Sequence, residues 1–142
     1  MNCLDYKAAG IILFSEKGEV YMAVDKKQRV QDFGGKKIPE DLEQPHKTAI
    51  RECEEECGIV PNDISYSNSI YLANSKYYLF FAMTNDIPIP QNEIEIIKKF
   101  QNIDSIDIPL NPRLWGHKWI VQAKNWLLEN KIVRPALRTV WQ

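Results

Sequence analysis

The segment from Pro45 to Gly58 limits the fold more than any other part of the chain, because it specifies a helix with an acidic face. Proline suits the first turn of a helix and glycine the position just past its end, and Gln44 stands where the N-cap is expected. On an ideal helix, which turns by about 100° per residue, Glu52, Glu55 and Glu56 fall within an arc of about 100°. The sequence therefore predicts three carboxylates on one side of a single helix.

A core-facing stripe lies next to this acidic face. Ala49, Ile50, Cys53 and Cys57 fall beside the carboxylates, whereas Glu54 points away from them. Like charges four residues apart cost about 0.2–0.5 kcal/mol, and carboxylates near a helix C-terminus oppose the helix dipole at about 0.3–1 kcal/mol each. A hard dication such as Mg²⁺, which takes oxygen ligands, removes both penalties. Charge alone leaves a solvated acidic face equally open as an explanation.

The remaining elements predict a layered α/β domain. Two apolar segments joined by a turn at Gly18 predict a hairpin, and a basic stretch with a glycine pair predicts a loop. The predicted strands span 7–14, 19–24, 64–72, 77–84 and 94–100, the loops span 26–37 and 86–91, and a second helix runs from Asn111-Pro112 to about Glu129. That helix carries a stripe typical of core packing, formed by Trp115, Trp119, Ala123, Trp126 and Leu127.

Composition excludes several classes of protein. The chain has 142 residues, which suits one domain, and its net charge of −1 provides no general basic field for nucleic acid or a membrane. The apolar run from Ala8 to Phe14 is too short to span a bilayer. Three cysteines, Cys3, Cys53 and Cys57, form no disulfide framework. We therefore expect a soluble cytosolic or nuclear protein, with the cytoplasm as the default, in which Cys53 and Cys57 are small core residues.

The segment around the acidic helix resembles the Nudix box, written G-x5-E-x7-R-E-U-x-E-E-x-G-U with U a bulky aliphatic residue. Six residues fit the pattern directly: Arg51, Glu52, Glu55, Glu56, Gly58 and Ile59. Cys53 stands at the first aliphatic position, and Glu43 lies eight residues before Arg51, as the pattern requires. The box glycine is expected at Lys37, but the pair Gly34-Gly35 comes earlier, so we predict a two-residue insertion between that pair and Glu43.

The resemblance implies a fold, a reaction and a cofactor. The family fold is an α/β/α sandwich around a mixed central β-sheet, expected here as a single domain over residues 1–142. Its enzymes use Mg²⁺ or Mn²⁺ to hydrolyse a phosphoanhydride bond in a nucleoside diphosphate linked to another group X, by attack of water on phosphorus. The resemblance therefore implies a small nucleotide-type substrate and no membrane partner, and we expect a monomer or a homodimer.

The same resemblance assigns roles within the box. Glu52, Glu55 and Glu56 match glutamates that bind the divalent ions, and either Glu52 or Glu56 would hold or activate the attacking water. Arg51 would pair with Glu43, and that pair would orient the ligands without taking part in the chemistry.

Residues outside the acidic helix complete the expected site. A further acid reaches the metal from a loop in many family members, with Glu93 as the candidate here and Glu95 as the rival. The glycine pair would let the backbone approach phosphates closely, because it lacks Cβ atoms. The residues expected to contact phosphates are Gly34, Gly35, Lys26, Lys27, Arg29, Lys36 and Lys37, although a solvated hairpin end explains the basic ones equally well.

Three alternatives remain open at this level. The chain is either an enzyme, a catalytically silent Nudix-like domain that senses a nucleotide or binds a partner, or a small structural domain with an accidental acidic helix. Within the enzyme class, mRNA decapping and nucleoside triphosphate pyrophosphatase activity both remain compatible with the sequence.

Overall fold

The computed structural model describes residues 5–61, 63–64 and 66–130. Within them, seven strands form one mixed sheet, and one α-helix packs on each face of it. In chain order the elements are β1 (Ala8–Ser15), β2 (Val20–Val24), β3 (Val30–Gln31), β4 (Phe33–Lys36), α1 (Pro45–Cys57), β5 (Ile70–Leu72), β6 (Tyr77–Thr84), β7 (Ile97–Phe100) and α2 (Lys118–Glu129).

Strand β1 lies inside the sheet and sets its mixed character. It pairs in parallel with β6 along its whole length, and antiparallel with β2 and β4. The strand order is β3-β2-β1-β6-β5, with β4 added on β1 and β7 on β2. This arrangement confirms the predicted α/β fold with a mixed central sheet.

Alternate side chains of β1 face two separate cores, as the pleat of a strand requires. Ala9, Ile11 and Leu13 pack into the core that α1 covers, whereas Ile12 and Phe14 pack into the core that α2 covers. All five are fully buried. Because α1 lies on the sheet with only one side, its other side is available for polar groups at the edge of the core.

Helix α1 begins and ends where the sequence predicts. Pro45 opens the helix, Cys57 is its last residue, and Gly58 follows with φ of 79°, a left-handed conformation that favours glycine. Cys53 and Cys57 are both buried in the core beneath the helix, which confirms their predicted structural role.

The predicted loop over residues 26–37 is wrong from Val30 onwards, because Val30–Gln31 forms strand β3 and Phe33–Lys36 forms strand β4. Gly34 and Gly35 pair with Gly10 and Ala9 of β1. A glycine pair favours turns in its local context, but this segment is held by hydrogen bonds to a strand more than twenty residues earlier. The glycines therefore form part of the sheet.

Three other elements are shorter than predicted. The strand predicted over 64–72 is a 3₁₀ turn at Tyr66–Asn68 followed by β5, and the strand predicted over 94–100 begins at Ile97. The second helix begins at Lys118, after a separate 3₁₀ turn at Pro112–Leu114. Trp115 lies between them and is 68% exposed, so it does not belong to the buried stripe. The other predicted members, Trp119, Ala123, Trp126 and Leu127, are buried.

Neither described helix is both long and apolar enough to cross a membrane. The expectation of one domain up to residue 142 includes positions beyond 130, which lie outside the described residues.

Candidate active site

An acidic pocket lies along the outer edge of α1. Five side chains line this cavity of about 500 Å³: Glu52, Glu55, Glu56, Asn92 and Glu93. The predicted helical arc thus brings the three box glutamates to one cavity, and a loop after β6 adds the fourth carboxylate. Glu95 does not line this pocket.

Burial gives two of these carboxylates unusual proton affinities. Desolvation, followed by the negative charges of Asp32 and Glu52, raises the pKa of Glu56 to about 8, although a hydrogen bond from the Gly34 N–H to its Oε1 at 2.9 Å opposes the shift. Desolvation also raises the pKa of Glu52; the charge of Arg51 opposes the shift and that of Glu55 adds to it. Burial therefore favours the protonated form of both carboxyl groups, whereas a bound cation would favour their ionised form.

The glycine pair of β4 makes the close approach of α1 possible. A Cβ on Gly35 would lie 2.6 Å from the carboxylate of Glu52, which is closer than such contacts occur. A Cβ on Gly34 would collide with the hydroxyl of Tyr77 on the other side of the strand. The observed contacts of this pair are therefore with the protein's own side chains.

Arg51 organises the side of the pocket nearest β4. Its Nε and Nη2 donate to the two carboxylate oxygens of Asp41 at 3.1 and 3.0 Å, and Nη2 also donates to the carbonyl of Lys36 at 3.0 Å. Its Nη1 donates to Glu52 at 3.1 Å and to Glu55 at 3.3 Å. One guanidinium thus connects the strand end, a buried aspartate and two of the pocket glutamates.

Asp41 is stabilised in its ionised form despite being 3% exposed. Burial alone raises its pKa, but hydrogen bonds from Arg51, from the Ile38 N–H and from the Thr48 hydroxyl outweigh burial and hold the pKa at about 2. The ion pair between Asp41 and Arg51 is therefore a permanent feature of the site at neutral pH.

The predicted pair of Arg51 with Glu43 does not form. Glu43 instead contacts Lys37 at 2.5 Å, and its side chain is 68% exposed. Asp41 lies six residues after Gly35, which is the spacing that the Nudix box requires between its glycine and its first acid. Leu42 and Glu43 follow with left-handed φ values of 56° and 54°. The geometry thus indicates that these two residues are the insertion, placed after the acid and looped away from the site.

A loop after β6 closes the C-terminal end of α1. The last carbonyls of a helix lack partners within it. Here the Asn92 side chain donates to the carbonyl of Glu55 at 2.5 Å, and the Gln91 and Ile89 N–H groups donate to the carbonyls of Glu56 and Cys57 at 3.0 Å. The same loop places Glu93 beside the box glutamates, so the helix cap also brings in the fourth acid.

A second chamber of about 330 Å³ shares Glu56 and Glu93 with the acidic pocket. Its other lining residues come from the end of β2, the following turn, β3 and the loop before β7: Val24, Asp25, Lys26, Gln28, Gln31, Ile94, Glu95 and Ile96. The chamber is mainly polar and directly adjoins the carboxylates. A molecule that spans both cavities would therefore place one part against the acids.

The basic residues predicted for phosphate binding separate into two groups. Lys26 lines the second chamber, whereas Lys27 does not. Arg29 contacts Asp25 at 3.0 Å, and Lys37 contacts Glu43. The Lys36 side chain is exposed at the end of β4. Of these five, only Lys26 lines either cavity.

The carboxylates do not form a ready-made metal cage. In the part of the chain that the structure describes, no three His, Cys, Asp or Glu side chains are grouped closely enough to hold a metal ion. Arg51 binds Glu52 and Glu55, and Glu56 binds the Gly34 N–H. The donor set nonetheless fits a hard cation, because four carboxylates surround one cavity and Mg²⁺ prefers oxygen ligands. Binding would require Glu52 and Glu55 to turn from Arg51 towards the cavity.

Sequence similarity establishes the family of this chain. The family model described as NUDIX domain matches residues 5–121, which include all seven strands and α1. The chain belongs to the Nudix family. Membership confirms the predicted class, a Nudix pyrophosphohydrolase that acts on nucleotide pyrophosphates. No curated protein sequence matches this Nudix protein significantly.

Solved structures of Nudix proteins share the fold. The NUDIX domain of Shewanella oneidensis NrtR, complexed with ADP ribose, superposes with a TM-score of 0.67 at 16% identity, covering 89% of this chain and 90% of its own. The Nudix hydrolase RenU of M. smegmatis superposes with a TM-score of 0.64 at 17% identity, covering 89% of this chain and 85% of its own. The Ap4A hydrolase of C. elegans superposes with a TM-score of 0.62 at 20% identity, covering 89% of this chain and 99% of its own. At these identities the similarity is one of fold.

Proposed function

We propose that this Nudix protein hydrolyses a phosphoanhydride bond in a nucleoside diphosphate linked to another group X, with Mg²⁺ or Mn²⁺ as cofactor. Glu52, Glu55, Glu56 and Glu93 would hold the ion. The observation that carries the proposal is the acidic pocket itself, in which the side chains of four glutamates line one cavity. Such a charge arrangement favours binding of a cation.

When bound, a divalent ion polarises a phosphoryl oxygen and makes coordinated water more acidic. The protein's own groups would position the reactants. Either Glu52 or Glu56 would accept a proton from the attacking water, and the Gly34 N–H would keep Glu56 oriented. Arg51, fixed by Asp41, would limit how far Glu52 and Glu55 turn. Asp41 would thus take the orienting role that the family resemblance implies for Glu43.

The second chamber would receive the nucleoside or the X group. The chamber adjoins the pocket glutamates, and the side chains of Asp25, Gln28 and Gln31 offer hydrogen bonds. Lys26 offers a positive charge for a phosphate. Arg29 would act indirectly, because its ion pair with Asp25 fixes the turn that carries Lys26 and Lys27. Backbone contact of the glycine pair with phosphates, and contacts from Lys27 and Lys36, remain part of the proposal.

Candidate substrates come from the same chemistry. Proteins of this fold include an Ap4A hydrolase, a UDP-X diphosphatase and a domain complexed with ADP ribose. A test panel therefore contains ADP-ribose, a dinucleoside tetraphosphate, a UDP-sugar, nucleoside triphosphates and capped RNA. Because Cys53 and Cys57 are free thiols, we also propose a cytoplasmic setting, and light scattering in solution would distinguish a monomer from a homodimer.

The first experiment compares the wild-type chain with Glu55→Gln on this panel. We expect metal-dependent turnover by the wild-type protein, abolished by excess EDTA, and a loss of about 100-fold or more in the variant, within the range seen when one transition-state-stabilising group is removed. Glu54→Gln is the matched control, because Glu54 lies on the same helix but is exposed and does not line the acidic pocket. Unchanged turnover in Glu55→Gln would disprove the ligand assignment.

The alternative function, a silent nucleotide sensor, makes a different forecast in the same experiment. A sensor would bind a nucleotide in excess EDTA and would release no product with Mg²⁺ or Mn²⁺. That result across the whole panel would replace the enzyme proposal.

A further inference from the structure

A buried polar cluster lies on the opposite side of β4 from the acidic pocket. Arg113 donates a hydrogen bond from Nε to one carboxylate oxygen of Asp32 at 2.9 Å, and its Nη2 lies 2.9 Å from the same oxygen in an ion pair. The Tyr77 hydroxyl donates to the other oxygen, and the Arg113 guanidinium lies 4.8 Å from the centre of the Tyr77 ring. Asp32 is 0% exposed and Tyr77 is 4% exposed. None of these residues lines the acidic pocket.

The cluster occupies space that two glycines leave open. Gly10 of β1 and Gly34 of β4 are paired across the sheet. A Cβ on Gly10 would collide with Asp32 and Tyr77, and a Cβ on Gly34 would collide with Tyr77. The Tyr77 hydroxyl therefore lies directly against the backbone of both β1 and β4, and the Asp32 carboxylate lies against that of β1.

The other face of β4 contacts two glutamates of the acidic pocket. The Gly34 N–H donates to Glu56 at 2.9 Å, and Gly35 leaves room for Glu52. A displacement of β4 would therefore alter the positions of the Glu52 and Glu56 carboxylates. Asp32 directly precedes β4, so its two hydrogen bonds and its ion pair with Arg113 fix the strand at the end where these contacts begin.

Arg113 is itself held firmly by the segment before it. Its N–H donates to the Asn111 side chain at 3.2 Å. The Asn111 N–H donates to the carbonyl of Val30 at 2.9 Å, and the Val30 N–H donates to the carbonyl of Pro109 at 2.9 Å. The arginine therefore reaches Asp32 from a backbone anchored to β3.

We propose that Arg113, Asp32 and Tyr77 are positioning residues that hold β4 where the Gly34 N–H meets Glu56 and Gly35 admits Glu52. This inference rests on the proposed function, because it assigns the cluster a role in the same site. The cluster does not touch substrate. It acts through the backbone of β4, in the way that outer groups orient the ligands of metal sites.

The test uses Arg113→Lys and Tyr77→Phe in the full chain. The first keeps the positive charge and the second keeps the aromatic ring, whereas replacing Asp32 by a neutral residue would leave the Arg113 charge without its partner. Asp104→Asn is the control, since it removes another ion pair, with Lys124, away from the pocket. Three quantities are measured: the ¹H–¹⁵N shift of the Gly34 amide, the Mn²⁺ binding constant by calorimetry, and kcat and KM separately. We expect the amide shift to change and Mn²⁺ affinity and kcat to fall about 10–100-fold in both variants, with little change in KM.

If the cluster has only a structural role, both substitutions would lower the melting temperature but leave the Gly34 amide shift, the Mn²⁺ affinity and kcat at their wild-type values. That result would overturn the inference. Equal changes in Asp104→Asn would overturn it as well. If the wild-type chain hydrolyses no panel substrate while both variants still shift the amide and weaken Mn²⁺ binding, the proposed function fails and the positioning role stands.

Discussion

Two arginine–aspartate pairs lie on opposite sides of β4, and they differ in how they distribute their hydrogen bonds. Arg51 divides its donors among Asp41, Glu52, Glu55 and the carbonyl of Lys36. Arg113 directs Nε and Nη2 to one oxygen of Asp32 and stacks on Tyr77. Two of the groups that Arg51 contacts, Glu52 and Glu55, therefore line the acidic pocket, where a bound cation would compete for them. Neither Asp32 nor Tyr77, the partners of Arg113, lines that pocket.

This difference separates an adjustable part of the site from a fixed part. The contacts of Arg51 with Glu52 and Glu55, at 3.1 and 3.3 Å, connect it to acids that line the pocket. The contacts of Arg113 lie among fully or largely buried groups. Under the proposed function, the carboxylates rearrange around an ion, and the proposed role of the buried pair is to hold β4 in place while they do so.

The largest effect should come from breaking the buried pair. Asp32→Ala leaves the Arg113 charge buried without a partner, and we expect a loss of about 3–5 kcal/mol in the free energy of unfolding, measured by urea denaturation. Removing Arg51 by Arg51→Ala should cost less, because Asp41 keeps its hydrogen bonds from Ile38 and Thr48. A loss of stability in Asp32→Ala smaller than that in Arg51→Ala would contradict the contrast between the two pairs.

The sequence predicts the first arginine and not the second, for a physical reason. The ends of α1 and the spacing of its glutamates are local, so Pro45, Gly58 and the 3.6-residue period suffice to place them. Arg113 is 81 residues from Asp32, and no local pattern connects them. The loop predicted for residues 33–36 is wrong for the same reason, because the pairing of β4 with β1 depends on contacts distant in sequence.

The misplaced insertion shows a limit within the motif itself. Counting backwards from Arg51 selects Glu43, and counting forwards from Gly35 selects Asp41. Both counts are available in the sequence, and the structure agrees with the second. What the sequence does not reveal is that Leu42 and Glu43 both adopt left-handed φ values, a conformation uncommon for residues other than glycine. The forward count was therefore the one signal that identified Asp41.

The pH dependence of stability should sharpen the assignment of Asp41 as the partner of Arg51. Its folded pKa of about 2 lies below the usual value of 3.8, so the ion pair stabilises the fold fully above about pH 4. That contribution, about 2 kcal/mol, is lost as the pH falls through 4 towards 2. In Asp41→Asn the corresponding part of this acid-dependent loss should disappear, as followed by urea denaturation between pH 2 and 6.

Glu43→Gln serves as the control, because Glu43 is exposed and forms its ion pair with Lys37 and not with Arg51. Its acid-dependent loss should exceed that of Asp41→Asn. A smaller loss in Glu43→Gln than in Asp41→Asn would return the arginine's partner to Glu43.

The smallest effect tests the loop that caps α1 on the adjustable side of β4. Asn92 has a left-handed φ of 55°, so Asn92→Gly retains the backbone conformation and removes only the side-chain hydrogen bond to the carbonyl of Glu55. We expect a loss of about 1 kcal/mol in the free energy of unfolding, measured with urea. Gln28→Gly is the matched control, because Gln28 has a φ of 63° and replacement by glycine there should be neutral or stabilising by about 0.4–1 kcal/mol. Equal changes in the two variants would mean that the Asn92 side chain does not hold the helix end, and that Glu93 reaches the pocket without this cap.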